Sequence, residues 1–453
     1  MAVQKIYGPT NFEAPSSAFS VSHDAADWSS GQSRVAEHPS TGDKIYLAWN
    51  SANRKMQLWT SQNNGPMTLI ADDATNASGS QPNMIQGFGI DSAGRGHILS
   101  RDNATIVYYY TRITFTVTNG HVRSYTIDQS AIAAADHTAT GIDPRGDLII
   151  DTFGGTEKCL MVYGSDYSAD TTYRIYGMQL SALSGTATLV GIDGSGSDTL
   201  IFSGSSTGVF INHNLQPLLV QNKSSGHVYV ALGQVNTDYW LGGVTGTTQY
   251  DLSAIELTFG GTNWTVGSTQ VLCASVTGNT QPQLCSVYAV GSKSIVLYYC
   301  NSGLTFGYID SSGTWHDNYI DRPMTDSTKS AFACFWTDDT NVFFYAQFAG
   351  LNGASPFGYF GWWDGSTWKI STDAISTLEE SFARCAYSTT GLYMIKHNGN
   401  SQGQTSTGHA YVQMYLYTPA DNINQKAPDP RLSGARTRSL MGIRNYTDIR
   451  EWW

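Results

Sequence analysis

Apolar and polar positions alternate along this chain in short runs, and the runs come in pairs. A Gly-containing turn opens an apolar strand, and a second, aromatic-rich strand follows and ends in polar residues. The unit reads "STGDKIYLAWNSANRKMQLWTS" from Ser40, "DSAGRGHILSRDNATIVYYYTR" from Asp91, "DPRGDLIIDTFGGTEKCLMVYGSD" from Asp143 and "KSSGHVYVALGQVNTDYWLGG" from Lys223. Fainter copies begin at Val290, Thr337 and Ser388. A period of two between turn residues predicts strands joined as hairpins. Only "DQSAIAAADH" and "DAISTLEESFARC" carry a helical signal, a turn or two each.

Hairpin units recurring at roughly 40 to 60 residues predict an all-β fold, a β-propeller in which each copy is one blade that cannot bury its faces alone. Seven copies predict seven blades. Six or eight are the alternatives, because the third and fourth units are lengthened by stretches such as "GIDGSGSDTLIFSGSSTG". The expected division is an N-terminal arm over 1–30, a propeller over 31–420 and a C-terminal docking tail over 421–453. Within the propeller the blades are expected at 31–83, 84–134, then to 205 and 272, then 273–325, 326–375 and 376–420.

Composition fits a closed β-domain. Hydrophobic residues make up 41% and charged residues 13% of the 453, with 46 Gly, 26 Tyr and 12 Trp. A formal net charge of −11 sets the propeller body against nucleic acid. The six cysteines, Cys159, Cys273, Cys285, Cys300, Cys334 and Cys385, form no CxxC pair and read as small buried hydrophobes, with one or two disulfides as the alternative. No structural metal and no cofactor is expected. "DGSGSD" at Asp193 to Asp198 has alternating oxygen side chains but not the spacing of a calcium loop, and reads as a Gly/Ser turn. The N-terminus does not read as a signal peptide and no run is long enough to cross a membrane, so the expectation is synthesis in a cytoplasm without membrane insertion.

Three turns, "DSSGTW" (Asp310 to Trp315), "DGSTW" (Asp364 to Trp368) and "GGTNW" (Gly260 to Trp264), resemble the Asp-box of sialidase-like, BNR-repeat propellers. The resemblance implies a structural role, with the Asp capping backbone donors and the Trp packing between strands. For a sialidase it would further imply an arginine triad, a Tyr–Glu pair and an Asp acid. The F/Y-R-I-P start is missing, "SRVAEHP" with Arg34 being the nearest text, and no Glu stands beside a candidate Tyr. Propeller polysaccharide lyases use His and Tyr for proton transfer. His97, His137, His213 and His227, with Tyr108, Tyr110 or Tyr239, are the residues of that kind here, against the expectation that His and Tyr populate blade faces anyway. No catalytic residue is assigned.

Past Pro419 the hairpin pattern stops. The last segment holds Arg431, Arg436, Arg438, Arg444 and Arg450 and ends on Trp452 and Trp453. In overall style the chain resembles a virion structural protein of a tailed bacteriophage. That resemblance implies a virion location, neighbouring virion proteins in a symmetric assembly as partners, and a host glycan as a further ligand. Docking falls to the tail, with Arg436, Arg438, Arg444, Tyr446, Trp452 and Trp453 as binding residues. The alternative is a glycan-active enzyme, a polysaccharide lyase or depolymerase.

Overall fold

The computed structural model describes residues 2–11, 35–50, 55–62, 67–71, 82–102, 107–134, 146–167, 172–205, 215–234, 251–274, 283–300, 303–319, 331–337, 342–348, 357–363, 368–370, 375–376, 383–388, 391–397 and 410–418. These residues fold as seven antiparallel units of four or five strands, two of which are joined into one eight-stranded sheet by a parallel pairing of Gln234 with Gln283. Blade 1 is Val35–Glu37, Lys44–Asn50, Lys55–Ser61 and Met67–Ala71. Blade 2 is Pro82–Ile90, Arg95–Asp102, Tyr108–Thr118 and His121–Ala133. In blade 3, Gly146–Phe153, Thr156–Tyr167 and Thr172–Leu180 are followed by two short strands, Leu189–Gly191 and Thr199–Ser205, that share the outer position. Blade 4 is Leu215–Gln221, Val228–Gln234, Leu252–Phe259 and Trp264–Cys273. Blade 5 is Gln283–Val290, Lys293–Cys300, Gly303–Ile309 and Trp315–Tyr319. Blade 6 is Ala331–Thr337, Val342–Phe348 and Phe357–Trp363, with Trp368–Ile370 and Ile375–Ser376 outside them. Blade 7 is Ala383–Ser388, Gly391–His397 and Ala410–Thr418, completed by Ala2–Asn11.

The first strand of each blade lies against the first strand of the next, and that of blade 7 against that of blade 1. This closes the ring of a seven-bladed β-propeller and leaves no open sheet end around it. The lengthened third and fourth units are single blades; the extra residues of the third include the second outer strand, and residues 235–250 of the fourth lie outside the described residues.

Two expectations are corrected. Residues 2–11, assigned to a separate arm, are the outermost strand of the last blade, hydrogen-bonded antiparallel to Ala410–Thr418. Taken alone the segment has no hairpin partner in its vicinity, and only ring closure brings its partner from the far end of the chain. Asp128–Ala133, within the Ala-rich helical candidate, belongs to the fourth strand of blade 2, where Tyr110 stands opposite Ile132. A free strand edge and an apolar seam for Ile132 outweigh the local helix propensity of alanine. The second helical candidate contributes strand residues 375–376 and 383–385, and the rest of it lies outside the described residues.

The core sits in the seams between blades. Ile45, Leu47 and Leu58 of blade 1 meet Phe88, Ile98 and Ile113 of blade 2. Leu99 and Tyr110 meet Leu148, Met161 and Tyr163 across the next seam, Val162 and Ile175 meet Val230 and Ile255 across the third, and Leu218 and Ala254 meet Val296 and Ile309 across the fourth. Burying each such side chain contributes about 1.5–3 kcal/mol. Where inner strands approach closely a side chain has no room: a Cβ on Gly87 would lie 2.6 Å from the Leu148 Cβ.

Alternating strand direction puts every turn between first and second, and between third and fourth, strands at one end of the ring. That end is largely described, whereas the connections joining the opposite strand ends lie outside the described residues.

Candidate functional site

The polar side chains that the structure describes gather at this tight-turn end, and two turns there share one construction. In Asp91-Ser92-Ala93-Gly94-Arg95-Gly96-His97 the Asp91 N–H donates to the Arg95 carbonyl (2.9 Å) and the Gly94 N–H to the Asp91 carbonyl (2.9 Å). Asp91 Oδ1 accepts from the N–H groups of Ala93 (3.1 Å) and Arg95 (2.8 Å). In Asp310-Ser311-Ser312-Gly313-Thr314-Trp315-His316 the same bonds recur, from Asp310 N–H to the Thr314 carbonyl and from Gly313 N–H to the Asp310 carbonyl, both 3.0 Å. Asp310 Oδ1 accepts from Ser312 N–H (2.8 Å) and Thr314 N–H (3.0 Å). Gly94 and Gly313 both have left-handed backbone, φ 80° and 83°, the conformation that glycine adopts without strain. The histidine six residues on meets the free carboxylate oxygen in each case, His97 Nε2 at 3.1 Å and His316 Nε2 at 2.8 Å.

The capping role expected of the Asp310 turn is therefore what the structure contains, and Trp315 packs on the apolar seam of blades 4 and 5. Trp264, from "GGTNW", is buried in the seam of blades 3 and 4, with ring centroids 4.8 Å from Phe153 and 5.0 Å from Phe259. Asp364 lies outside the described residues.

Environment separates the two His–Asp turns. Asp91, His97 and Tyr110 are fully buried, and the Tyr110 hydroxyl lies 2.8 Å from His97 Nδ1. Burial alone would raise the Asp91 carboxyl, but hydrogen bonds from His97 and Arg95 outweigh it and hold the group below the usual carboxylate range. Burial pushes the Tyr110 phenol far up. Tyr110 and His97, both expected as candidate proton-transfer groups, are thus brought together, but where no substrate reaches them. Tyr108 is buried too, its hydroxyl donating to the Gly164 carbonyl of blade 3 (3.2 Å). His227 is partly exposed and pairs with Glu256, which stands opposite Tyr229 in the sheet. Burial first, then the Glu256 and Asp310 charges, raise Tyr229 to about 12. A Tyr–Glu neighbour pair therefore exists; the separation of the two along the chain hides it from local sequence, and only strand pairing reveals it.

Other polar groups tie blade to blade. Asp43 of blade 1 accepts from Val122 N–H of blade 2 (2.7 Å) and lies 3.0 Å from His121 Nδ1. Glu157 of blade 3 accepts from Ser92 N–H (2.8 Å) and the Ser92 hydroxyl (2.7 Å) of blade 2. Arg112, paired with Asp128, also reaches the carbonyls of Leu183 (2.7 Å) and Gly185 (2.6 Å). Asn222 of blade 4 donates to the Ser292 carbonyl of blade 5 (2.9 Å).

On the outer part of blade 5 the second turn opens to solvent. His316 is 42% exposed and stacks on its cross-strand neighbour Tyr308, ring centroids 4.7 Å apart and planes at 18°. Lys293 Nζ lies 5.6 Å from the Tyr308 ring centroid. Asp310 is held ionised, far below its ordinary range, chiefly by the Ser312 and His316 hydrogen bonds.

Among the described residues no group of three or more His, Cys, Asp or Glu is placed to hold a metal ion. Asp193 accepts from Ser195 N–H (2.9 Å) and from the Thr199 hydroxyl (2.8 Å), the bonding of a turn. Cys159 is a buried free thiol that burial pushes up, and Cys273 is partly exposed, its thiol 3.8 Å from the Ala274 carbonyl. The expected docking residues Arg436, Arg438, Arg444, Tyr446, Trp452 and Trp453 lie outside the described residues, as do His137, His213 and Tyr239.

No family model matches this chain, and no curated protein matches it in sequence. Among solved structures it is similar to the lectin of Aleuria aurantia, a six-bladed β-propeller with fucose recognition, at 11% identity and TM-score 0.39 over 76% of this chain and 95% of that one. A polysaccharide lyase matches at 9% and 0.38 over 84% and 76%. An α-L-arabinofuranosidase from Fusarium graminearum matches at 12% and 0.41 over 71% and 90%. At such scores these likenesses say nothing of ligand or chemistry.

Proposed function

We propose that this protein is a rigid carbohydrate-binding disk that holds a ligand without transforming it. One observation carries the reading: the Asp91–His97–Tyr110 chain, a hydrogen-bonded arrangement of the kind that transfers protons, is sealed inside a blade and holds a turn. What the tight-turn end offers to solvent is of another kind. Ring faces and fixed polar groups, such as Tyr308, His316 and Lys293, are the elements that grip sugars, by stacking on their C–H faces and hydrogen-bonding their hydroxyls. Blades stitched across the seams from blade 1 to blade 5 hold such groups in one geometry, which lowers the ordering cost of binding. The Asp310 turn fits the same reading, since its carboxylate acts as a cap.

In its finer form the reading is of a virion surface component, a tailed-bacteriophage protein that binds neighbouring virion proteins and a host-surface glycan. Its support is the sequence: a low-charge, turn-rich body and a non-repeating tail over 421–453 whose Arg and Trp residues suit docking. Deleting that tail is expected to abolish incorporation into particles, and unchanged incorporation would refute the finer form.

The test of the binding function is a glycan array probed with the purified full chain. Saturable binding to a defined set of glycans is expected, with no new ends released from them on prolonged incubation. An array without hits sinks the reading, and cleavage of a bound glycan replaces it with an enzymatic one.

A further inference from the structure

We propose that Lys293, Tyr308 and His316 form a seat for a carboxylated sugar, a uronic acid unit of an acidic glycan. The inference rests on the binding function above and names its site and ligand class.

Three successive strands of blade 5 build the seat. Lys293 opens the second strand, Tyr308 lies on the third and His316 on the fourth, with Tyr308 directly opposite His316. The seat is therefore set by backbone pairing, with no loop to order. His316 is fixed twice, by the stack on Tyr308 and by the 2.8 Å contact of Nε2 with Asp310 Oδ2. With Nε2 committed to Asp310, Nδ1 is the ring nitrogen left for a ligand. Asp310 itself is occupied, because Oδ1 accepts from Ser312 N–H, the Ser312 hydroxyl (2.6 Å) and Thr314 N–H while Oδ2 meets His316. Its lone pairs are taken up within the turn.

Lys293 is a cation with no ion pair among the described residues. Elsewhere in the described residues Lys44 pairs with Glu37, Lys223 with Asp151, Arg95 with Asp91 and Arg112 with Asp128. The Lys293 ammonium has as its contact the Tyr308 ring, a neutral surface that leaves its charge uncompensated. Lys158 lies over the Phe259 ring in a similar way, at 5.8 Å, but the second ring there is Trp264, which is buried in the core, and no imidazole stands beside it.

An ammonium and an imidazole edge bracketing an aromatic ring match a ligand with a carboxylate on a pyranose. The carboxylate takes the ammonium, a ring hydroxyl takes His316 Nδ1, and the C–H face meets the aromatic edge. A neutral sugar leaves the ammonium unanswered, and an acidic peptide brings no pyranose C–H face to the aromatic edge.

Titration calorimetry with a galacturonic acid tetrasaccharide, its fully methyl-esterified form and a Glu-rich peptide tests this on the full chain. The acid form is expected to bind about tenfold tighter than the ester, the worth of one charge-assisted hydrogen bond. Lys293→Met is expected to remove that preference while keeping the aliphatic stem, and His316→Gln, which can still donate to Asp310, to weaken both sugar forms. Both substitutions are at the surface, and an unchanged thermal melt confirms the fold. Equal affinity for acid and ester, an unaffected Lys293→Met variant, or a peptide bound as tightly as the sugar each overturns the seat. If the array nonetheless shows glycan binding, the proposed function survives without this site; if the array is empty, both fall.

Discussion

Asp147 is a carboxyl group that burial keeps protonated near neutral pH. It lies on the first strand of blade 3, and its two oxygens accept from Leu148 N–H and, across the seam to blade 4, from Leu219 N–H, both 2.9 Å. Loss of water outweighs those two bonds and raises the group to about 8. A carboxyl raised in the folded state stabilises most below its unfolded value and loses that contribution as pH climbs through its folded value. Urea unfolding followed by Trp fluorescence is therefore expected to show the native chain weakening from pH 5 to pH 9 through this group, by at most about 1.4 kcal/mol per pH unit in that window. Asp147→Asn, which turns one acceptor into a donor, is expected to be less stable than the native chain at pH 5 by about 1–3 kcal/mol, with the gap closing by pH 9. A gap independent of pH would refute the neutral acid. Glycines give a second residue-level prediction. Gly94 and Gly120 are both left-handed, but a Cβ on Gly94 would lie 2.6 Å from the buried His38 ring and one on Gly120 meets nothing. Gly120→Ala is expected to cost about 1 kcal/mol and Gly94→Ala clearly more, read from denaturation midpoints.

At the scale of the element, the two Asp–Gly–His turns have one construction and unequal weight. Asp91→Ala leaves His97 Nε2 and two turn N–H groups unpaired inside the blade, a loss of about 3 kcal/mol or more. Asp310→Ala frees groups that water reaches, so the smaller loss of thermal stability is expected there. Measuring both melts decides whether burial, not turn type, sets the value of the cap; equal losses would contradict it. The His at the sixth following residue is legible in "DSAGRGH" and "DSSGTWH" once the two are aligned. That one histidine is sealed and the other open is not, because burial depends on what the neighbouring strands bring. The Tyr229–Glu256 pair shows the same limit from the other side, since cross-strand contact is set by register and no local motif records it.

At the scale of the whole molecule, Ala2–Asn11 is the clasp of the ring, pairing with Ala410–Thr418 from the opposite end of the chain. Deleting residues 1–11 uncovers the edge of the last blade, a template for pairing between chains. A lower melting temperature and concentration-dependent association on size-exclusion chromatography with light scattering are the expected outcome; a stable monomer with an unchanged melt would show that the clasp is dispensable. The sequence by itself determined the strand content and the sevenfold hairpin unit, because period-two patterning and Gly turns are local and every blade repeats them. It also determined that the Asp310 turn caps itself and that Trp264 and Trp315 pack inward. Only the tertiary structure decided that the N-terminal segment closes the ring, that the Ala-rich run is an edge strand, that His97 is sealed while His316 is open, and that Lys293 stands over the Tyr308 ring. Each of these depends on which distant strand arrives as a neighbour, and that choice is made when seven blades, each unable to bury its own faces, close on one another.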